Sequence, residues 1–198
     1  MHPYSTDSGR QRAVPLVLAV VAIVLAWVLG RAFTLAHVAP PWWLDTPAVA
    51  GFYGLLWKGY DRWWWRLGRA GRTLSGIPDF GGTWTGTLLT SYRPDEPHAV
   101  RVCILQTASR IHVELSTARS RSHSQLAMIC SSPGPGHGLR YVYGNHPEGL
   151  PVPGVSKHDG SAYLRLSADG RTLEGGYSTD PDRGNRGTMT LTRAEEPA

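Results

Sequence analysis

Gly81-Gly82-Thr83-Trp84-Thr85-Gly86-Thr87-Leu88-Leu89 decides the fold. Two glycines open it and it then runs into β-branched residues, the start of a strand. Further strands are predicted at 100–106, 111–115, 124–130, 139–143, 163–166, 173–179 and 188–192. The alternation is plainest where Ile111, Val113 and Leu115 face one way and His112 and Glu114 the other. Asp159-Gly160 and Asp169-Gly170 read as hairpin turns. No stretch after Ser75 carries a helical period, so residues 77–194 are expected to be all-β. About eight short antiparallel strands favour an up-and-down barrel, which removes its own edges, over a two-sheet sandwich.

Upstream of Ser75 the chain changes character. A leader at 1–12 carries Arg10 and Arg12, and the following residues, 13–30, hold no charge. About 18 residues at 1.5 Å each reach roughly 27 Å, nearly the thickness of a hydrocarbon core. The run exceeds the roughly 7 to 15 apolar residues of a signal peptide, so 13–36 is expected to be a membrane helix that is retained. Ala39-Pro40-Pro41 reads as a turn, with Trp42 and Trp43 at an interface. A second helix is expected at 43–65. Its apolar stretch, 47–57, is short, and Lys58, Asp61 and Arg62 weaken it. An amphipathic helix lying in the interface on Trp63, Trp64 and Trp65 is its alternative. Residues 66–76 form the linker. Arginines before the first helix and after the second (Arg62, Arg66, Arg69, Arg72) put both termini in the cytoplasm by the positive-inside rule, giving a two-pass protein of the inner membrane. Ala22, Ala26 and Gly30, and likewise Ala50 and Gly54, recur every four residues, a spacing that lets membrane helices approach closely.

The net charge of +5 comes largely from arginines beside these apolar segments, which argues against DNA or RNA as the partner. Two cysteines, Cys103 and Cys130, are too few for a disulfide framework and read as reduced core residues. There is no phosphate-cradling glycine loop, no His-Glu-x-x-His and no nucleophile elbow, so the chain is not expected to be an enzyme. The eight histidines lack ligand spacing, and no metal is expected. Binding chemistry is better represented. Tyr141, Tyr143 and Tyr177 supply flat rings, Gln106, Ser122, Ser124 and Thr179 supply hydrogen bonds, and Arg186 suits a phosphate. Period two turns Tyr177 and Thr179 inward with Met189 and puts Arg186 on the opposite face, unless a bulge intervenes.

Ile77-Pro78-Asp79-Phe80-Gly81-Gly82-Thr83-Trp84-Thr85-Gly86 resembles the entry of the two-transmembrane, β-strand-rich effectors associated with CD-NTases in CBASS antiphage systems. Leu105-Gln106-Thr107, the Ser120, Ser122 and Ser124 series, Tyr141-Val142-Tyr143-Gly144-Asn145, and Leu173 to Thr179 followed by Arg186-Gly187-Thr188-Met189 agree in order and spacing. Gly-x-Trp at a first strand is also lipocalin-like. The resemblance implies a cytoplasmic barrel that senses a cyclic di- or oligonucleotide from a partner CD-NTase. It further implies homo-oligomerisation on sensing and disruption of membrane lipid by the helices. The other reading is an exported, signal-anchored, lipocalin-like carrier of an apolar ligand, and a third is a scaffold barrel without ligand.

Overall fold

The computed structural model describes residues 1–38, 45–67, 71, 75–118, 120–131, 137–147, 157–181 and 184–194. The chain divides into two compact units, Ser8–Ile77 and a second made of Met1–Asp7 with Pro78–Ala198.

Eight long strands build the second unit: β3 (Gly82–Thr90), β4 (Arg93–Gln106), β5 (Arg110–Ser116), β6 (Ser120–Cys130), β7 (His137–Pro147), β8 (His158–Leu166), β9 (Thr172–Thr179) and β10 (Arg186–Arg193), preceded by the short β1 (His2–Pro3) and β2 (Ser5–Thr6). Each long strand pairs antiparallel with the next, and β10 returns to β3, so the sheet closes as an up-and-down barrel. Every strand expected from period two is present. Alternate residues fill the interior, with Trp84, Val102, Ile104, Ile111, Ile129, Leu139, Leu164, Leu173, Met189 and Leu191 all buried. Closure demands tight coiling, and Gly175 permits it: a Cβ there would sit on the carbonyl oxygen of Tyr163 in the neighbouring strand.

One end of the barrel is sealed by the segment that leads into β3. Phe80 is buried, and the Trp84 indole N–H donates to its carbonyl at 2.9 Å. Gln106 holds the same segment, accepting from the Phe80 amide at 2.8 Å and donating to the Pro78 carbonyl at 3.0 Å. Arg193 lies 4.4 Å above the Trp84 ring and donates to the carbonyls of Gly81 (2.6 Å) and Asp79 (3.1 Å). The motif that opens the barrel sequence is therefore its floor.

Three expectations need correcting. Asp159-Gly160 is not a turn but the start of β8, opposite Gly144 and Tyr143. Glycine is required at 160 because a Cβ would strike the Tyr143 ring and the Ser178 carbonyl, not because the chain reverses there. Asp169-Gly170 does turn, with Gly170 at φ 71° and its amide bound to the Ser167 carbonyl at 3.0 Å. Cys103 and Cys130 are free but only half-buried, because they alternate with the interior residues of β4 and β6 and so lie outside the core. The leader does not run through residue 12. Its first seven residues are sheet: β1 pairs with β5 and β2 pairs in parallel with β6, filling the wedge where those two strands part.

The other unit holds α1 (Gly9–Leu35) and α2 (Asp45–Arg62), which pack on each other, and a short 3₁₀ turn at Trp64–Arg66. Among the described residues α1 is the one helix long and apolar enough to cross a membrane. At 27 residues it extends roughly 40 Å. Val14, Leu18 and Ala22 form its buried stripe, which Ala26 and Gly30 continue half-buried; Leu16, Val20, Ile23, Val24 and Trp27 are exposed. Ala50 and Gly54 are exposed on α2, and a Cβ at Gly30 or Gly54 would meet nothing within 4 Å. The Pro40-Pro41 turn with Trp42 and Trp43, and Arg69 and Arg72 of the linker, lie outside the described residues.

Candidate functional site

Period two gives the barrel wall an outer face as well as an inner one. On the outer face of β6 to β10 two cross-strand rows run side by side. One is Met128, Arg140, Tyr163 and Gly176; the other is Leu126, Val142, Ser161, Ser178 and Arg186. Between them runs Ala127, Tyr141, Ala162, Tyr177 and Gly187, whose alternation sends its side chains inward. These three rows, with Ser5 of β2 beside Met128, line an open groove of about 770 Å³. Gly176 lowers the middle of the groove because it has no side chain. A smaller concavity of about 330 Å³, lined by Leu89, Thr90, Ser91, Pro94 and Thr188, adjoins it and shares Arg186 and Gly187.

The chemistry of the groove is graded. Leu126, Met128 and Val142 are 66%, 40% and 38% exposed, an apolar end left open to a ligand. Next to them the Arg140 guanidinium lies 4.8 Å above the Tyr163 ring. The Ser161 and Ser178 hydroxyls are 3.2 Å apart, and Arg186 stands beyond them. Among the described residues no carboxylate lines the groove, and neither arginine has a carboxylate partner. Three strand spacings and a two-residue offset along the strands separate Arg140 on β7 from Arg186 on β10, so the two arginines rise about 16 Å apart at their backbones, close enough for their long side chains to reach one ligand from two sides. The groove thus offers flat and apolar surface, hydroxyls and two cations, a combination suited to a small ligand with rings and two anionic groups.

The residues picked from sequence fall into four places. Tyr141, Tyr177 and Arg186 line the groove, the first two from the inward row. Burial holds the Tyr141 phenol well above its usual value, so it stays neutral. Ser122 and Ser124 point into the barrel and are buried. Ser124 is also occupied: its Oγ accepts from the Val113 amide at 2.9 Å and lies 2.7 Å from His2 Nε2. Thr179 fastens the turn between β9 and β10, accepting from the Asn185 amide at 3.0 Å. Gln106 belongs to the sealed floor. Register runs unbroken through Arg186, opposite Ser178, so no bulge moves it from the outer face. Arg140, Tyr163, Ser161 and Ser178 were not singled out from sequence. Each lies on the outward half of its strand's alternation, and a groove on a barrel's outside leaves no mark on hydropathy.

Among the described residues no cluster of histidine, cysteine or acidic side chains could hold a metal. Fold and groove together define a class: a closed β-barrel with an open outer groove, in a chain that also carries an apolar helix. A family model described as Cap15, cyclic dinucleotide receptor domain, matches residues 75–193. A curated relative, CD-NTase-associated protein 15 of Yersinia aleksiciae, is 30% identical over 148 residues, covering 75% of this chain and 70% of its own length. The chain belongs to the Cap15 family of CBASS effectors, and its barrel is that family's cyclic dinucleotide receptor domain.

Proposed function

We propose that the cyclic dinucleotide binds in the outer groove of β6 to β10, with Arg140 and Arg186 on its two phosphates. One base would stack beside Tyr163, the other would lie on Leu126, Met128 and Val142, and Ser161 and Ser178 would meet ribose hydroxyls. The observation that carries this reading is a groove of about 770 Å³ that bears two arginines and, among the described residues, no carboxylate. Ser122 and Ser124 point into the barrel, Thr179 fastens the turn between β9 and β10, and Gln106 holds the floor, so of the residues chosen from sequence Arg186 makes the direct phosphate contact. Tyr141 and Tyr177 support the groove from below.

In this reading the ligand comes from a partner CD-NTase, and binding favours an assembled state of several copies. Assembly follows if that state binds ligand more tightly than the resting one, and confinement to a membrane plane raises the effective concentration of copies. The exposed faces of α1, together with Ala50 and Gly54 on α2, are available for helix contacts between copies. Both helices are taken to lie in the inner membrane with the termini in the cytoplasm, and their rearrangement disrupts it.

The test is thermal unfolding of the full chain in micelles with cyclic di-AMP, cyclic di-GMP and cyclic GMP-AMP, alongside linear dinucleotides. The expected result is a dose-dependent rise in Tm with at least one cyclic form. No rise with any of them contradicts the proposed site. Leakage of a dye from phosphatidylethanolamine and phosphatidylglycerol vesicles carrying the chain tests the second half. Release is expected only after the stabilising dinucleotide is added, and ligand-independent or absent release contradicts it.

A further inference from the structure

The N-terminal segment has a seat of its own in the barrel wall. β5 and β6 pair directly over three positions, Glu114 to Ser116 against Arg121 to His123. Beyond these they part, and β1 sets His2 against Ile111 and Pro3 against Arg110 while β2 sets Ser5 against Met128 and Thr6 against Ile129. Where the strands diverge β6 is bulged between Ser124 and Leu126. There Ser124 Oγ takes the Val113 amide and meets His2, a side chain standing in for lost ladder bonds. The Tyr4 hydroxyl donates to the Ala108 carbonyl at 2.7 Å, and Asp7 Oδ1 accepts from both the amide and the hydroxyl of Ser131 at 2.6 Å.

This seat is polar. Residues 1–7 alternate between exposed and half-buried, and none is buried. Hydrogen bonds that replace water contribute little each, and ordering a tail costs entropy at every residue, so a strand held this way opens more readily than one packed into the core. Two further facts give the opening a consequence. Ser5 borders the groove beside Met128. Only Asp7 and Ser8 separate β2 from the first residue of α1, which leaves almost no slack between strand and helix.

We propose that Met1–Asp7 is a latch strand: a releasable segment of the sensor, seated between β5 and β6, whose hold changes when the adjoining groove is occupied and whose release is passed along the chain to α1. The link to occupancy rests on the groove being the ligand site; the releasable seat does not.

Amide hydrogen exchange on the full chain in micelles tests both, comparing peptides covering 1–8, 128–131, 158–166 and 172–179 with and without the three cyclic dinucleotides. The expected result is slower exchange in 158–166 and 172–179 together with a change of at least about fivefold in 1–8. Slowing in the groove peptides with 1–8 unchanged overturns the latch while leaving the groove intact. If no dinucleotide slows the groove peptides, the ligand site has failed, and the latch is decided without ligand by Asp7→Ala and Asp7→Asn. A releasable seat requires Asp7→Ala to speed exchange of 1–8 and 128–131 about tenfold while 158–166 and 172–179 stay unchanged. Asp7→Asn, which keeps Oδ1 as acceptor, should restore most of the protection. Exchange of 1–8 as slow as 158–166 in the unsubstituted chain, or unaffected by Asp7→Ala, overturns the latch.

Discussion

Arginine is the residue whose meaning changed most between sequence and structure. In the sequence the arginines crowd the apolar segments and read as markers of orientation; in the barrel, Arg140 and Arg186 flank a groove that has no carboxylate among the described residues. A charge-assisted pair with phosphate contributes enough that Arg186→Ala should weaken dinucleotide binding about tenfold or more, with Arg186→Lys intermediate because it keeps the charge and loses the fork. Titration calorimetry on the full chain checks this, and equal affinities would remove Arg186 from the site. Arg186 was legible in the sequence because it sits among glycines after a tyrosine strand. Arg140 was not, because its partner Tyr163 is 23 positions away and only strand pairing brings them to 4.8 Å. Glycine gives the complementary case. Gly175→Ala must push a Cβ into the Tyr163 carbonyl, and an overpacked strand of this kind should lose about 3 kcal/mol, read as a fall in urea midpoint.

At the scale of elements, period two located all eight long strands, because each needs one buried face and the alternation is set by the pleat. It could not locate β1 and β2, which are two residues each and bury nothing fully. Asp159-Gly160 misled for a related reason: a glycine that avoids a neighbouring ring carries the same letters as one that turns a chain. The floor of the barrel behaves as one element. Trp84 is fully buried, bonded to Phe80 and covered by Arg193, so Trp84→Ala should cost about 3 to 5 kcal/mol and unseal that end. A near-unchanged unfolding midpoint would refute this. The N-terminal seat should respond to acid. His112 titrates below its ordinary 6.5, first through burial and then through the chain's amino terminus, with His123 and His2 adding to this and Glu114 opposing it. A histidine lowered on folding favours the folded state above its unfolded pKa and withdraws that stability as pH falls through the folded value. Exchange of residues 1–8 should therefore quicken as pH drops below about 6.5, after correction for intrinsic rates, and His112→Gln should flatten the change. A pH-independent ratio would contradict it.

For the whole molecule, sequence read a seam between an apolar part and a β part near Ser75; in the structure the second unit resumes at Pro78 and its first long strand starts at Gly82. Sequence did not show that the barrel also claims the first seven residues, so that the chain leaves the sensor before α1 and returns to it after α2. That double attachment follows from strand pairing across more than a hundred positions, which no local pattern encodes. The central claim is that the outer groove is where a cyclic dinucleotide is read. Its most direct test is equilibrium binding of a labelled cyclic dinucleotide to the full chain in micelles, comparing the unsubstituted protein with the Arg140→Ala, Arg186→Ala double variant at equal unfolding midpoint. The account predicts saturable binding that the double variant weakens at least about a hundredfold. Binding of the double variant at the unsubstituted protein's affinity would contradict it.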